Sequence, residues 1–296
     1  MKKINYLLGI AILMVSGSLF AQQQPMFSMF RYHMNVINPA YAGVNGETVL
    51  ALSYRDQWTG VPDAPLTQAV SFGTNVGKNL GLGVSVVNDK NFVEKETFVG
   101  VDFSYKLKMN ETSDLYFGIK AGGDFYSVNT SGLYTYNVEV DPALVDYSNF
   151  NPNAGVGLLW QHEKYFISLS VPRIFSFDRA RHEDGYAVLA SDKPHFYLSG
   201  GYDFDLNTNT PMVLKPSVIM RYVNNAPMSV DFNALLNISK VFEIGGSYRV
   251  DEAFTVMTNF TIAEKLIIGY AYDMSTRSEL GSAKNTNELL FRYKFN

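Results

Sequence analysis

Phe98-Val99-Gly100-Val101-Asp102-Phe103-Ser104-Tyr105-Lys106-Leu107-Lys108 decides the fold. Val99, Val101, Phe103, Tyr105 and Leu107 take every second position, and Gly100, Asp102, Ser104, Lys106 and Lys108 fill the places between. A period of two divides the faces of a strand, whereas a helical period of 3.6 would mix them. At roughly 3.3 Å per residue such a segment is long enough to cross a bilayer at a tilt, while ordinary strands stop at about five or six residues. The chain ends the same way, with Leu289, Phe291, Tyr293 and Phe295 alternating with Glu288, Arg292 and Lys294.

Extended in both directions, the pattern predicts fourteen strands, near 48–56, 66–75, 80–88, 96–108, 114–127, 152–162, 164–171, 195–206, 211–223, 228–238, 241–250, 253–262, 265–274 and 286–296. A soluble sandwich also alternates, but its strands need not be this long. Tyr and Phe also gather toward segment ends, where rings sit at the lipid headgroups. The connections alternate in length. One set is short throughout (76–79, 109–113, 163, 207–210, 239–240, 263–264). The other (57–65, 89–95, 128–151, 172–194, 224–227, 251–252, 275–285) includes every long one. With both termini placed on the short-turn side, this is the asymmetry of an outer-membrane barrel. The fold class is therefore all-β, a transmembrane antiparallel barrel of about fourteen strands, with twelve or sixteen as alternatives.

The registers turn Arg55, Asp102, Lys106, Lys120, Asp124, Lys215, Arg221, Asp231, Glu243, Arg249, Asp273 and Arg292 inward. Their mixed signs predict a lumen knitted by ion pairs, in which Asp102→Asn is expected to be mild. Gly100, Gly118, Gly122, Gly155, Gly157, Gly245 and Gly269 leave space among them for long side chains or for an N-terminal segment.

Met1-Lys2-Lys3, the apolar run Tyr6 to Val15 and the small-residue stretch ending at Ala21 predict a cleaved signal peptide over 1–21. The apolar run is about half the roughly 20 residues a spanning helix needs. Residues 22–46 form an N-terminal segment that either plugs the lumen or meets a periplasmic partner; Phe27 to Tyr32 is too apolar to float free. The barrel takes 47–296. The 296-residue chain has no cysteine and a net charge of −4, which excludes thiol chemistry and argues against nucleic acid.

Nothing assembles into a catalytic constellation. His33, His162, His182 and His195 are scattered without metal-ligand spacing and read as solvated or hydrogen-bonded loop residues, so no metal, cofactor or enzymatic activity is expected. Asp141, Asp146, Asp178, Arg179, Arg181, Glu183 and Asp184 put charge into the two longest loops. Asn110-Glu111-Thr112 and Asn129-Thr130-Ser131 fit a glycosylation sequon that means little in a bacterial outer membrane.

Two stretches are not explained by periodicity: Asn35-Val36-Ile37-Asn38-Pro39-Ala40-Tyr41-Ala42-Gly43, and Tyr54-Arg55-Asp56-Gln57-Trp58-Thr59-Gly60-Val61-Pro62-Asp63-Ala64-Pro65-Leu66-Thr67. Read physically, Asn38-Pro39 initiates a turn and Gly43 permits a left-handed backbone, which steers the chain into the first strand. Trp58 with Pro62 and Pro65 makes a rigid aromatic element of the first outer loop. Together the two stretches resemble the hallmarks of the PorP/SprF family of type IX secretion system membrane proteins. The resemblance implies Bacteroidota, the outer membrane and its lipid, and work with the type IX secretion machinery in protein secretion and gliding motility. It also implies either that the chain binds or anchors the C-terminal domain of a secreted, adhesin-like surface protein, or that it is the core member that belongs to the secretion and gliding machinery itself. Asn38, Pro39, Tyr41, Gly43, Tyr54, Arg55, Gln57, Trp58, Gly60 and Pro65 are its motif and partner-contact positions. The alternative is a passive channel for a small or hydrophobic solute.

Overall fold

A computed structural model of the chain describes residues 26–131, 146–178, 191–206, 209–277 and 285–295. The expected leader, 1–21, and the middle of the two longest connections lie outside the described residues. The strands are β1 (Val49–Asp56), β2 (Leu66–Val76), β3 (Leu80–Asn91), β4 (Glu94–Lys108), β5 (Ser113–Val128), β6 (Tyr147–His162), β7 (Tyr165–Val171), β8 (Phe177–Asp178), β9 (Ser191–Asp192), β10 (His195–Tyr202), β11 (Phe204–Asp205), β12 (Met212–Val223), β13 (Ser229–Ile238), β14 (Phe242–Arg249), β15 (Ala253–Ile262), β16 (Leu266–Ser275) and β17 (Asn285–Lys294). Each barrel strand pairs antiparallel with its sequence neighbour, β10 joins β7 to β12, and β1 pairs with β17 from Val49↔Lys294 to Asp56↔Asn287. The sheet is thus closed. Since β10 and β11 are one strand interrupted at Asp203, it has the fourteen staves that the alternation predicts; β8 and β9 form a separate hairpin.

Closure removes every sheet edge that would leave backbone groups unpaired in lipid. The exterior is apolar, as lipid requires: Val101, Phe103, Ile119, Phe232 and Phe254 are exposed, while Asp102, Lys120 and Asp231 beside them in sequence are buried. Of the twelve charges expected inside, nine are buried and Lys106, Lys215 and Arg292 are half-buried. Val101→Arg, at the middle of the lipid face of β4, is therefore expected to block assembly, at a cost of about 2–4 kcal/mol in the bilayer centre. Loss of the folded, heat-modifiable band on gels would show it, and wild-type folding would contradict the face assignment.

Two strand boundaries differ from expectation. Residues 89–95 are not a loop, because β3 and β4 continue through Asp89↔Glu96 and Asn91↔Glu94 and turn only at Phe92-Val93, where Phe92 takes φ 55°. Likewise Tyr147 to Asn151 belong to β6, paired with Val128 to Asp124. Both extensions lie toward the long-loop end. A strand that has left the hydrocarbon need not carry an apolar face, so its alternation fades while its backbone ladder continues.

Candidate functional site

The interior of the barrel is occupied by its own N-terminal segment, residues 26–46, folded into short helical turns at Phe30–Tyr32, Met34–Ile37, Pro39–Tyr41 and Val44–Gly46. Burial of its apolar side chains drives the packing. Met29 meets Leu235, Met257, Ala271 and Leu290; Phe27 meets Ala69, Val87 and Phe98; Phe30 and Met34 meet Tyr197 and Ile219. These contacts reach strands all around the wall.

Where Asn38 to Gly43 passes the wall, side chains there would collide with it. A Cβ at Gly118 would run into the Ala40 backbone, one at Gly157 into the Asn38 side chain, and one at Gly81 into the Ala42 carbonyl. Asn38 is fully buried. Its side chain accepts from Ala40 N (2.8 Å), capping the turn that Pro39 opens, and donates to Leu158 O (3.0 Å) and Ser168 Oγ (2.8 Å). Tyr41 packs between the Phe30 and Ala40 clusters, and burial pushes its phenol well above the ordinary value. Gly43 sits at φ 67° with its α-carbon against β2, where a Cβ would stand 2.5 Å from Thr74 O. Only glycine satisfies both conditions.

The second motif lies at the other end of the barrel. Tyr54 faces lipid and Arg55 faces the lumen. Gln57 N donates to Pro65 O (3.0 Å), closing the first outer loop, in which Trp58 (φ 54°) is half-buried and Gly60 (φ 95°) is exposed. Trp58 N donates to Thr286 Oγ1 (3.3 Å) and Thr59 N to Asn285 O (2.9 Å), so this loop clasps the start of β17 across the closing seam. The motifs do not converge on one pocket.

Arg55, in the second motif, ties the wall to the inner segment at Ser28. Its guanidinium bonds Asp273 (2.6 Å), Glu288 (3.0 Å) and Ser28 Oγ (3.0 Å); Ser28 in turn donates from Oγ to Asp273 (2.8 Å) and from N to Glu288 (2.7 Å). Deeper, Lys120 and Asp102 pair at 2.9 Å with both side chains fully buried. Asn35 donates to Asp102 (3.3 Å), and Lys120 donates to Asn35 O (3.3 Å) and Ser85 Oγ (2.7 Å). Near the short-turn end Arg31 pairs with Asp203 (2.9 Å), Glu47 with Lys294 (2.7 Å), and Lys215 with Glu243 (2.8 Å), which also receives Tyr32 Oη. Burial, and after it the Glu243 carboxylate, push the Tyr32 phenol well above its ordinary range, so it stays a donor. At the outer end Arg173 pairs with Glu96 and Asp124 (2.7 Å) and lies 4.4 Å over the Phe98 ring, tying the start of the long outer connection to the wall.

Ser28, Asn35 and Arg173 carry no periodic signal, so alternation does not single them out. Glu288 and Glu96 were within reach, since alternation in β17 and β4 turns both inward. Two of the histidines read as solvated or hydrogen-bonded loop residues are buried. His195 opens β10 and is buried near Tyr197, and His33 is buried in the inner segment, stacked 5.5 Å from Phe27. His182 and the charges Asp141, Arg179, Arg181, Glu183 and Asp184 lie outside the described residues. Asp146 accepts from Thr130 N (2.7 Å), and the two sequon asparagines cap their own turns, accepting from Thr112 N (2.9 Å) and Ser131 N (3.0 Å).

Burial lowers the pKa of His33 from 6.5 to about 4. The folded state then binds fewer protons than the unfolded one. Its contribution to stability is complete above pH 6.5 and is lost as pH falls to about 4, amounting to roughly 3 kcal/mol. His33→Phe is expected to flatten the fall of unfolding free energy over that window; an unchanged slope would locate the dependence elsewhere.

A family model described as type IX secretion system membrane protein PorP/SprF matches residues 19–293. Among solved structures the chain is similar to the outer membrane protein Omp33 of Acinetobacter baumannii (10% identity over 84% of this chain and 97% of that one, TM-score 0.46). It is also similar to the β domain of a Bordetella autotransporter, Brka (12% identity, 84% and 99% covered, TM-score 0.43), and to the KdgM porin (9% identity, 84% and 99% covered, TM-score 0.41). No curated protein matches the chain.

Proposed function

The chain belongs to the PorP/SprF family of type IX secretion system membrane proteins, and from that premise we propose that its outer face binds the C-terminal domain of a secreted, adhesin-like surface protein, anchoring it and supporting its export or gliding motility. As an outer-membrane barrel of that secretion system it associates with the machinery; the cargo contact is the step added here. What supports the reading is the filled lumen. Residues 26–46 act as a plug, bonded to the wall at several depths, to Arg55, Asp102 and Asp203, so the working surface is the rim and not a pore.

In this reading Asn38, Pro39, Tyr41 and Gly43 seat the plug. Arg55, Gln57, Trp58, Gly60 and Pro65 shape the first outer loop beside the seam, with Tyr54 as its lipid-side support. Partner contact falls on that loop and on the connections 128–151 and 172–194, where Tyr147 to Asn151 form the strand end that rises toward the rim. The passive-channel alternative requires a continuous aqueous path.

Two measurements separate the readings. Reconstituted in a planar bilayer, the protein is expected to show no steady conductance; steady ohmic openings of porin size would favour transport. After surface cross-linking in native cells, purification is expected to recover one large exported protein through its C-terminal domain. Recovery of none would count against cargo binding.

A further inference from the structure

The two neighbours of β6 leave it at different heights. It pairs with β5 along its whole length, from Ser113↔His162 to Val128↔Tyr147, but with β7 only from Val156↔Val171 to Gln161↔Phe166. Beyond Val171 the chain keeps to β6 for a few residues, where Ile174 N donates to Ala154 O (2.8 Å) and the Asn153 side chain accepts from Phe175 N (3.0 Å) and donates to Phe175 O (3.1 Å). It then turns away, and Phe177–Asp178 pairs as β8 with β9 in a separate sheet. Among the described residues, no backbone pairs with the second side of Tyr147 to Pro152.

Successive residues of a strand direct their backbone groups to opposite sides. Ala154 O points toward β7, so the same open side receives the carbonyls of Ser148, Phe150 and Pro152 and the N–H groups of Ser148 and Phe150; Pro152 has no N–H to give. In hydrocarbon such an edge is not tolerated, but this part of β6 has left it and rises toward the rim. Exposed edges are ordinarily blunted by charge, yet Tyr147-Ser148-Asn149-Phe150-Asn151 contains no charged residue. The edge is also held in shape. Asp146 accepts from Thr130 N (2.7 Å) and Oγ1 (3.0 Å) at the hairpin tip, and the exposed rings of Phe125 and Phe150 lie 4.7 Å apart. With Thr97, Ser127 and Ser148 these rings line an open cleft of about 470 Å³. The alternate residues Asn149 and Asn151 place amides on the other face of the strand, bonded to each other at 2.9 Å.

We infer that the edge of β6 from Ser148 to Pro152 takes an added strand from the secreted partner, paired backbone to backbone. An extended chain completes a row of alternating donors and acceptors, and the surface beside the row selects among sequences through every second side chain. Here the fitting strand carries an apolar side chain against Phe150 and Phe125, flanked by hydrogen-bonding side chains opposite Asn149 and Asn151. This strand addition rests on the cargo reading above and gives it a place and a manner of contact.

Ser148→Pro is the test, because the N–H it removes faces the open side and the ladder to β5 does not use it; proline is tolerated at edges in that orientation. Ser148→Ala keeps the N–H and is the control. In co-purification from native cells, wild type and Ser148→Ala are expected to recover the partner equally. Ser148→Pro is expected to recover about tenfold less, through the lost hydrogen bond and the packing beside it, with the same compact band on gels. In the purified wild-type complex the amides of Ser148 and Phe150 are expected to exchange hydrogen more slowly than in the free barrel, a readout that needs no variant to fold. Undiminished recovery with Ser148→Pro, or unchanged exchange at these amides, would overturn the strand addition and leave cargo binding standing. Recovery of no partner by wild type would remove the cargo reading and the strand addition with it.

Discussion

Arg55→Ala is expected to lower the unfolding midpoint sharply and to loosen the plug. The substitution leaves Asp273 and Glu288 as two buried carboxylates without the guanidinium that lies 2.6 and 3.0 Å from them, and Ser28 loses one of its partners. Removing one member of a buried ion pair costs about 3–5 kcal/mol, mostly from the charge left behind. Because Ser28 anchors the inner segment toward the outer end of the lumen, the damage falls on the plug before the wall, whose β1–β17 ladder is backbone. The checks are the temperature at which the compact band on a gel converts to the unfolded one, and bilayer conductance, which should show intermittent openings in the variant. An unchanged midpoint with a silent bilayer would mean that Arg55 is dispensable for seating the plug.

A comparable loss is expected for Asp102→Asn. As a sequence-level expectation this exchange looks mild, since a polar residue replaces a polar residue on a lumen face that could be wet. The structure makes it severe: Asp102 and Lys120 are fully buried, and the amide leaves the lysine's charge unmatched beneath the plug. The cost is again about 3–5 kcal/mol, and the double variant Asp102→Asn with Lys120→Met should recover much of it, because replacing both charges removes the uncompensated one. If the single variant unfolds like wild type, the lumen near Asn35 is wetter than these contacts imply.

The wall was legible because lipid imposes a rule on every second residue. Val101 out and Asp102 in follows from the price of charge in hydrocarbon, and no packing detail can override it. That rule weakened where the strands leave the membrane, which is why Asp89 to Lys95 and Tyr147 to Asn151 read as loops although both are laddered. The inner segment was harder. Its apolar Phe27 to Tyr32 and its Asn38-Pro39 turn could be read, yet nothing in a one-dimensional pattern tells that Gly118 and Gly157, on different strands, face Ala40 and Asn38. Such contacts depend on the shear of the closed sheet, which brings together residues far apart in sequence.

In the proposed reading this barrel serves export by holding a secreted partner at the cell surface and not by conducting solutes. Its most direct test is deletion of the gene in the native cell, followed by mass spectrometry of surface proteins. The expected result is loss of exported protein from the surface: one large adhesin for a dedicated partner-binding barrel, or the whole exported set for a core component. An unchanged surface proteome, with the deletion verified, would contradict it.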